Sequence, residues 1–569
     1  MESNCLTENN DKAYATSGSA CLDFFTRITR SAEIGDYLTS FQKAWAEDKE
    51  SALKLLMNMR DVRNGKGEKL IPAVLMVLIK RRCTDDVYEE LARLMVDYGY
   101  WKDLLTIMEI DARLTSQELG PSPTPIETKL FAQQLKLDLE NLEKSGEKTA
   151  ITLCAKWAPT EDSHFDSKPM QCAKKIMKEM HLKPKEYRQM LTKLRNHLKI
   201  LETLMCGGRF EEIDFSKLPS VAHMKNKKAF LRGSNADGLE SEPRSKLKMS
   251  YEAYLQKLKE GKTKVNVVGI QPHELVSTYL NSGVTKPDTL VEEQWNAVKK
   301  RVTEAQTFRN VTAIVDVSGS MSGQPMTVSI ALGILVAECT TGPYYGKVIT
   351  FSQNPEWHYL RGSNLMEKVK CMSNAKWGTN TNLQAVFEMI LQNAKQAKLT
   401  QNEMVKTLFI FTDMQFDQCT CSPFESTFEH AKRTFGEAGY TLPNIVCWNL
   451  RTSSTKSMPI DMMEKNFVML SCFSAELLKL VLTTDDFSPM KMLHTALSPY
   501  NVPERIMSKT PSQLNVSTEE IADMDLAVKK SIIKKCFKPK ASTDSKATED
   551  SELPVCMATW KFLPAGESP

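Results

Sequence analysis

The segment TAIVDVSGSMSG, residues 312–323, places three oxygen-bearing side chains directly after an apolar run. Residues 313–315 are all apolar, as the end of a buried β-strand would be. Asp316, Ser318 and Ser320 follow at alternate positions, so a loop can turn their side chains to the same side. Three interpretations are open: a metal site, an Asp that is phosphorylated during catalysis, or a polar turn whose serines cap the next helix.

Short apolar stretches alternate with helical ones on both sides of this segment. Several of the apolar stretches would be buried on both faces, which is typical of a central parallel sheet covered by helices. We therefore predict an α/β doubly wound domain over residues 306–485. Its predicted strands are 311–315, 347–351, 356–360, 406–411, 444–449 and 466–471.

The preceding half of the chain has a helical pattern, with apolar residues three and four positions apart. Successive helices joined by polar turns predict an α-helical repeat domain of solenoid-like type over 19–305. Within it, the polar segment 233–248 is predicted to be a loop insertion. We also predict disordered tails at 1–18 and 536–569 and a helical C-terminal extension over 486–535.

Oxygen-bearing residues also occur at two other predicted loops of the α/β domain. Asp413 ends the strand in FIFTDMQFD, and Thr379 lies in KWGTNTNLQAV just before a helix. Ligands of doubly wound sheets bind beyond the carboxyl ends of the strands. Oxygen ligands suit a hard divalent cation. The sequence therefore predicts a Mg²⁺ (or Mn²⁺) site formed by Asp316, Ser318, Ser320, Thr379 and Asp413.

The alternatives explain less of this pattern. Serines that only cap a helix leave Asp413 and Thr379 without a role. An aspartyl-phosphate enzyme would usually have a second carboxylate two residues after the nucleophile, and Ser318 is found there. A zinc site at Cys419 and Cys421 would need a second ligand pair, and the nearby sequence offers only His430.

The five predicted ligands resemble the metal-ion-dependent adhesion site (MIDAS) of von Willebrand factor A domains. That family has DxSxS, then a Thr in a Gly-Thr loop, then an Asp in a strand-end TD. The resemblance spans residues 308–485 and implies Mg²⁺-assisted binding of a protein partner, without catalysis. In the family, an acidic side chain of the partner often completes the coordination of the ion. Met414 departs from the pattern, because many members have Gly after the Asp.

Two basic segments occur in the helical half. RDVRNGKGEK, residues 60–69, lacks the Ser or Thr of a phosphate loop and follows no strand, which favours a turn between helices. In residues 174–199, Lys and Arg outnumber Glu, which indicates a solvated helix face or an RNA-backbone surface. Tyr98, Tyr100 and Trp101 are predicted to be core aromatics. The candidate RNA contacts are Arg60, Arg63, Lys66, Lys174, Lys175, Arg188, Lys193, Arg195 and Lys199.

The order of the motifs resembles a family labelled as a domain of unknown function, over most of residues 20–485. The shared motifs include RDVRNGKGEK, YGYWKDLL, AKWAPT, DVSGSM, TDMQFD and NIVCWNLR. More distantly, the layout resembles the Ro ribonucleoproteins, in which a von Willebrand A domain closes a helical-repeat TROVE module. That resemblance implies binding of structured RNA, although a shared fold does not by itself assign function.

Composition narrows the class of protein further. A net charge of +4 over 569 residues gives no general attraction to nucleic acid or membranes. The most apolar run, residues 70–79, is shorter than the roughly 20 residues of a membrane-spanning helix, and the polar N-terminus is unlike a signal peptide. Fourteen scattered cysteines favour reduced thiols, and hence the cytoplasm or the nucleus. We expect a non-enzymatic interaction protein first, a Ro-like RNA-binding protein second and a phosphotransfer enzyme third.

Overall fold

The structure is a computed structural model. It describes residues 5–7, 12–115, 125–145, 149–166, 170–234, 238–280, 283–304, 308–351, 355–375, 382–414, 416, 427–452, 458–459, 462–482 and 486–536. In this part of the chain, no helix has both the length and the apolar character needed to cross a membrane.

The N-terminal half is helical, as predicted. It begins with a pair of two-residue strands, β1 (Cys5–Leu6) and β2 (Lys12–Ala13). Its helices are α1 (Ala20–Arg27), α2 (Ile34–Glu47), α3 (Lys49–Arg60), α4 (Leu70–Lys80), α5 (Asp85–Tyr98), α6 (Trp101–Thr115), α7 (Ile126–Ser145), α8 (Cys154–Trp157), α9 (Cys172–Met180), α10 (Pro184–His197), α11 (Leu201–Cys206), α12 (Ser220–Phe230), α13 (Glu242–Lys259), α14 (Pro272–Leu280) and α15 (Thr289–Thr303).

The second half alternates strands and helices around one sheet. Its elements are β3 (Phe308–Arg309), β4 (Val311–Val315), α16 (Gln324–Cys339), β5 (Thr340–Thr341), β6 (Lys347–Thr350), β7 (Trp357–Tyr359), α17 (Leu365–Ser373), α18 (Leu383–Ala397), β8 (Thr407–Thr412), α19 (Thr427–Glu437), β9 (Asn444–Asn449), β10 (Phe467–Ser471) and α20 (Ala475–Leu482). The C-terminal helices α21 (Pro489–Leu497), α22 (Glu504–Lys509) and α23 (Thr518–Cys536) follow.

All six predicted strands are present in one six-stranded sheet, with end points that differ by at most one residue. The strand order is β10-β9-β8-β4-β6-β7, and only β7 at the edge runs antiparallel. The chain leaves β4 for β6 and β7 on one side and then crosses to β8 on the other side. The sheet therefore reverses its winding between β4 and β8, and ligands of doubly wound sheets bind at such a switch point.

The predicted loop insertion is shorter than expected. Residues 242–248 are the first two turns of α13, and Pro243 lies in the first turn, where its missing N–H has no helical partner to lose. Of the described residues in the predicted 233–248 loop, only 233–234 and 238–241 lie outside a helix.

The prediction of a disordered tail at 1–18 is wrong for the residues of this segment that the structure describes. β1 and β2 pair in antiparallel fashion, and Tyr14 exchanges backbone hydrogen bonds with Met458. Ser17 is fully buried and donates its backbone N–H to Asp23 in α1. Tyr14 is held in place because the α/β domain supplies partners for its backbone, and Ser17 because α1 does.

The helical half covers the carboxyl edge of the sheet. Asn449, at the end of β9, donates its side-chain amide to the carbonyl of Thr26 at 3.1 Å. Lys66 reaches from the 60–69 turn to Ser471, at the end of β10, at 2.7 Å. One continuous apolar core runs from the first helices into the sheet, and a second, smaller core lies within residues 201–258.

The C-terminal helices belong to the same packed unit. Nη2 of Arg82 donates to both carboxylate oxygens of Glu520 of α23, and the Trp45 indole donates to the Pro511 carbonyl. The three helices α21, α22 and α23 thus lie against the first helices of the chain.

Gly333 in α16 lets that helix approach β4 closely. A Cβ atom at this position would lie 2.3 Å from Cγ2 of Val315, which is fully buried in the central strand. A β-branched side chain at such a position has little room to move, so only glycine allows this approach.

Replacing Gly333 with Ala is expected to destabilise the protein by about 1–2 kcal/mol. Overpacking against Val315 outweighs the gain in helix propensity, which is about 1 kcal/mol. Gly436 in α19 is the matched control, since a Cβ there meets no atom within 4 Å. Gly436→Ala should stabilise the protein slightly. Chemical denaturation of both variants measures the difference, and equal shifts would contradict overpacking at Val315.

Candidate metal centre

Asp316 lies at the carboxyl end of β4 and is fully buried. Its backbone N–H donates to the carbonyl of Phe411, which continues the ladder with β8 by one residue. Its carboxylate oxygens accept hydrogen bonds from the backbone N–H of Ser318 at 2.9 Å and from the hydroxyl of Thr412 at 2.7 Å. These contacts hold the carboxylate at the switch point of the sheet.

The two serines of the segment face each other. Ser318 precedes a 3-10 turn at Gly319–Met321, and its Oγ lies 3.1 Å from the Oγ of Ser320. Neither serine caps α16, whose N-cap is Gly323 with a φ of 93° and which has no side-chain cap. The helix-cap interpretation is therefore wrong, and both hydroxyls lie beside the Asp316 loop.

Asp413 follows β8 directly and is also buried, with 3% of its surface exposed. Burial raises the pKa of Asp316 to about 6, and the neighbouring charge of Asp413 contributes to the increase. Two buried carboxylates and two hydroxyls at one strand switch point form a set of hard oxygen donors, which fits Mg²⁺ or Mn²⁺.

Met414 occupies a backbone conformation that favours glycine. Its φ is 63°, and its N–H donates to the hydroxyl of Thr412 at 3.3 Å. This is the position at which the resembled family often has Gly. The side chain of Met414 is buried, so its packing holds the residue in the left-handed region.

The remaining predicted ligands are not all described. Thr379 lies outside the described residues, and so does the Cys419–Cys421 pair. Among the residues that the structure does describe, no three His, Cys, Asp or Glu side chains are grouped to hold a metal ion. An ion at Asp316 and Asp413 would therefore need the serine hydroxyls or further oxygen donors.

Sequence reasoning missed two residues of this region. Thr412 immediately precedes Asp413 in the FTD motif, so its place in the strand-end pattern was a usable signal. Arg451 follows β9, and its guanidinium donates to the carbonyl of Ser320, 131 residues earlier. No local pattern predicts that contact.

The prediction of RNA contacts at Arg60 and Lys66 is wrong, because both side chains are buried. Arg60 forms a bidentate ion pair with Asp103, at 2.7 and 3.0 Å. The Lys66 ammonium donates to the Phe25 carbonyl and to Ser471. The 60–69 segment is a turn between α3 and α4, as predicted. Arg60 and Lys66 point into the protein, whereas Arg63 and Lys69 are exposed.

Several other candidate cations are engaged by the protein itself. Arg195 donates to the carbonyls of Ala155 and Ala158, and Arg63 donates to the carbonyl of Asp97. Arg188 and Lys193 pair with glutamates, and burial lowers the pKa of Lys175. Among the described residues, the exposed candidates with neither an ion pair nor a side-chain hydrogen bond are Lys174 and Lys199.

The aromatic residues of YGYWKDLL are mostly core residues, as predicted. Trp101 is buried against Phe131, with ring centroids 5.0 Å apart, and Tyr98 packs edge-on against Tyr500. Tyr100 is 37% exposed, and its ring lies under the Arg60 guanidinium.

Comparison with known proteins identifies two families of unknown function. Residues 7–119 and 127–319 match the model of the domain of unknown function DUF2828, and residues 310–521 match that of DUF7788. A relative described as "Uncharacterized protein L728", from Acanthamoeba polyphaga mimivirus, is 54% identical over 549 residues. The alignment covers 95% of this chain and 96% of that protein.

Burial of Lys66 leads to a prediction about pH. Desolvation lowers the pKa of its ammonium from 10.5 to about 8 in the folded protein. The unfolded chain therefore binds more protons between about pH 8 and 10.5, so the contribution of this residue to stability increases with pH across that window. We compare the free energies of unfolding of the wild type and of Lys66→Met. Their difference, wild type minus variant, should increase by about 3 kcal/mol from pH 7 to above pH 10.

Urea unfolding of both proteins at several pH values measures this difference. Titrations of tyrosines and of cysteines other than Cys472 cancel because both proteins share them. Cys472 interacts with the Lys66 charge, so both proteins are compared in a Cys472→Ala background. A difference that does not change with pH would show that Lys66 titrates normally in the folded state.

Proposed function

The chain belongs to the DUF2828 family of domains of unknown function, and from the geometry of its site we propose that it is a non-enzymatic interaction protein. It holds Mg²⁺ or Mn²⁺ at Asp316, Ser318, Ser320 and Asp413, with Thr379 as the predicted fifth ligand. The ion engages an acidic side chain of a protein partner, and the helical half acts as the scaffold.

One observation carries this proposal. Asp316 and Asp413 are 97 residues apart in the sequence, yet they follow two adjacent parallel strands and are both buried. Thr412 connects them, since it precedes Asp413 and donates to the Asp316 carboxylate. Two buried carboxylates repel each other, and a divalent cation between them relieves that repulsion.

The arrangement of the sheet supports a MIDAS-type site of a von Willebrand factor A-like domain. Counted from β4, the six strands have the order 3-2-1-4-5-6 of a doubly wound sheet. When bound, the ion supplies a positive centre that accepts an oxygen ligand from outside the protein. Asp316 and Asp413 balance its charge, while the serine turn leaves the exposed Gly319 at the surface.

The helical half positions the metal loop from the other side. His273 of α14 is buried, and its Nε2 lies 3.0 Å from Nε2 of the Gln324 side chain. Gln324 is the first residue of α16. Its ring also packs edge-on against Phe473, just after β10. These contacts link the start of α16, and therefore the loop before it, to the helical scaffold.

The same geometry gives little support to a phosphotransfer enzyme. An aspartyl-phosphate enzyme usually has a second carboxylate two residues after the nucleophile, but Ser318 occupies that position and donates its backbone N–H to Asp316. We therefore assign Asp316 a binding role.

Free, buried cysteines in the described residues support the cytoplasm or nucleus as the proposed location.

Isothermal calorimetry of the full chain tests the metal site. The wild type should bind Mn²⁺ and Mg²⁺, and its unfolding temperature should rise with either ion. At an ion concentration of 100 times the Kd, the free energy of unfolding should increase by about 2.7 kcal/mol. Asp316→Ala and Asp413→Asn should lose binding, because each removes one of the two charged ligands.

Asp138→Asn is the matched control. Asp138 is a buried carboxylate of α7 that accepts hydrogen bonds from Gln134 and Thr152 within the helical half. This variant should be less stable than the wild type but should respond to the ions like the wild type. Equal ion responses in all four proteins would reject the metal site.

An exposed basic surface favours Ro-like RNA binding as a second candidate function. Four lysines on and beside α9 and α10 are exposed and have no ion-pair partner among the described residues. Counterion release at such a surface gives salt-dependent affinity for RNA. The lysines are Lys174, Lys178, Lys183 and Lys185.

Filter binding of a structured RNA at two salt concentrations tests this candidate. Replacing the four lysines with Gln should weaken RNA binding. The slope of the log association constant against log salt concentration should become less negative, by about 0.9 for each phosphate that is no longer neutralised. A control variant changes four exposed lysines of the α/β domain to Gln and should keep the wild-type slope. Salt-independent binding, or equal slopes, would reject the RNA surface. The control positions are Lys370, Lys395, Lys398 and Lys406.

A further inference from the structure

Arg451 places an exposed guanidinium directly on the metal loop. The residue follows β9, and its backbone N–H donates to the side chain of Asn449 at 3.0 Å. Asn449 is itself fixed to the carbonyl of Thr26 in the helical half. One guanidinium nitrogen, Nη1, donates to the carbonyl of Ser320. The positive charge is thus held beside the hydroxyl pair of the proposed ion site.

This charge lacks an acidic partner in the part of the chain that the structure describes. Some exposed arginines pair with carboxylates, as Arg93 does with Glu89 at 2.9 Å and Arg505 with Asp86 at 3.0 Å. Others share with Arg451 the lack of an ion pair among the described residues, but Arg451 is the one that donates to the metal loop. Among the described residues, the Arg451 guanidinium donates one of its five N–H groups, to Ser320. A guanidinium next to a divalent cation is unfavourable unless an anion lies between them.

We propose that Arg451 and the ion bind the same carboxylate of the acidic partner side chain, with one oxygen on the ion and the other on the guanidinium. This inference rests on the proposed metal site and adds to it the residue that selects the ligand. A carboxylate is planar and has two oxygens, so it matches the fork of a guanidinium. The bridging anion turns the repulsion between the ion and Arg451 into mutual attraction.

The bridge predicts cooperativity between the ion and a carboxylate. Without a carboxylate, Arg451→Gln should bind Mn²⁺ about fivefold more tightly than the wild type, because a like charge at close range is removed. With acetate as the probe, Mn²⁺ affinity of the wild type should increase, and the increase should largely disappear in Arg451→Gln. Arg451→Lys keeps the charge without the fork and should retain only part of the increase.

Calorimetric Mn²⁺ titrations of the full chain, in acetate and in chloride of equal ionic strength, measure both effects. Acetate also binds free Mn²⁺, but that contribution is the same for every variant. Arg93→Gln is the control for the change in net charge, since Arg93 is exposed on α5. It should behave like the wild type in both solutions. Thermal unfolding without the ion checks that each variant is folded.

The outcomes separate this inference from the metal site itself. Arg451→Gln could bind Mn²⁺ with the same affinity as the wild type and show the same increase with acetate. That result would overturn the role of Arg451 and leave the metal site intact. A larger increase with methyl phosphate than with acetate would overturn the choice of a carboxylate. Absence of Mn²⁺ binding by the wild type would overturn both proposals.

Discussion

The parallel pairing of β4 with β8 is the constraint on which the site depends. The register aligns Val315 with Phe411, so the residues that follow the two strands lie next to each other. A slip of one residue would turn every side chain of a strand to the opposite face, and the buried strands prevent it. Asp316 and Asp413 are therefore held together by the backbone ladder, even though two neighbouring carboxylates repel each other.

The helical half takes part in this arrangement because it covers the carboxyl edge of the sheet. The 60–69 turn has a different role from the one its composition suggests. A Cβ at Gly65 would lie 2.1 Å from the carbonyl oxygen of Asn58, so the turn folds tightly against the end of α3. That fold directs Lys66 inward to Ser471, and the ion pair of Arg60 with Asp103 fixes the start of the turn. A basic motif here is an internal connection between the two halves.

Burial decides which charges of this protein are available to a partner. Two of the four cations of the 60–69 turn, Arg60 and Lys66, are buried, whereas most cations of α9 and α10 are exposed. Arg451 differs from both groups, because it is exposed and also anchored to the loop that carries the proposed metal ligands. Described residues towards both ends of the chain likewise have long-range partners: Tyr14 pairs with Met458, and the Pro511 carbonyl accepts from Trp45.

Local sequence patterns were sufficient for the strands, the helices and two of the carboxylates. Buried parallel strands are continuous apolar runs, and the residue after each run lies at the carboxyl edge of the sheet, which is why Asp316 and Asp413 were predicted together. Only the tertiary structure decided that Lys66 is buried, that Gly323 and not a serine caps α16, and that Arg451 touches Ser320. Burial and contacts over 131 residues depend on how distant elements pack, and no local periodicity records that packing.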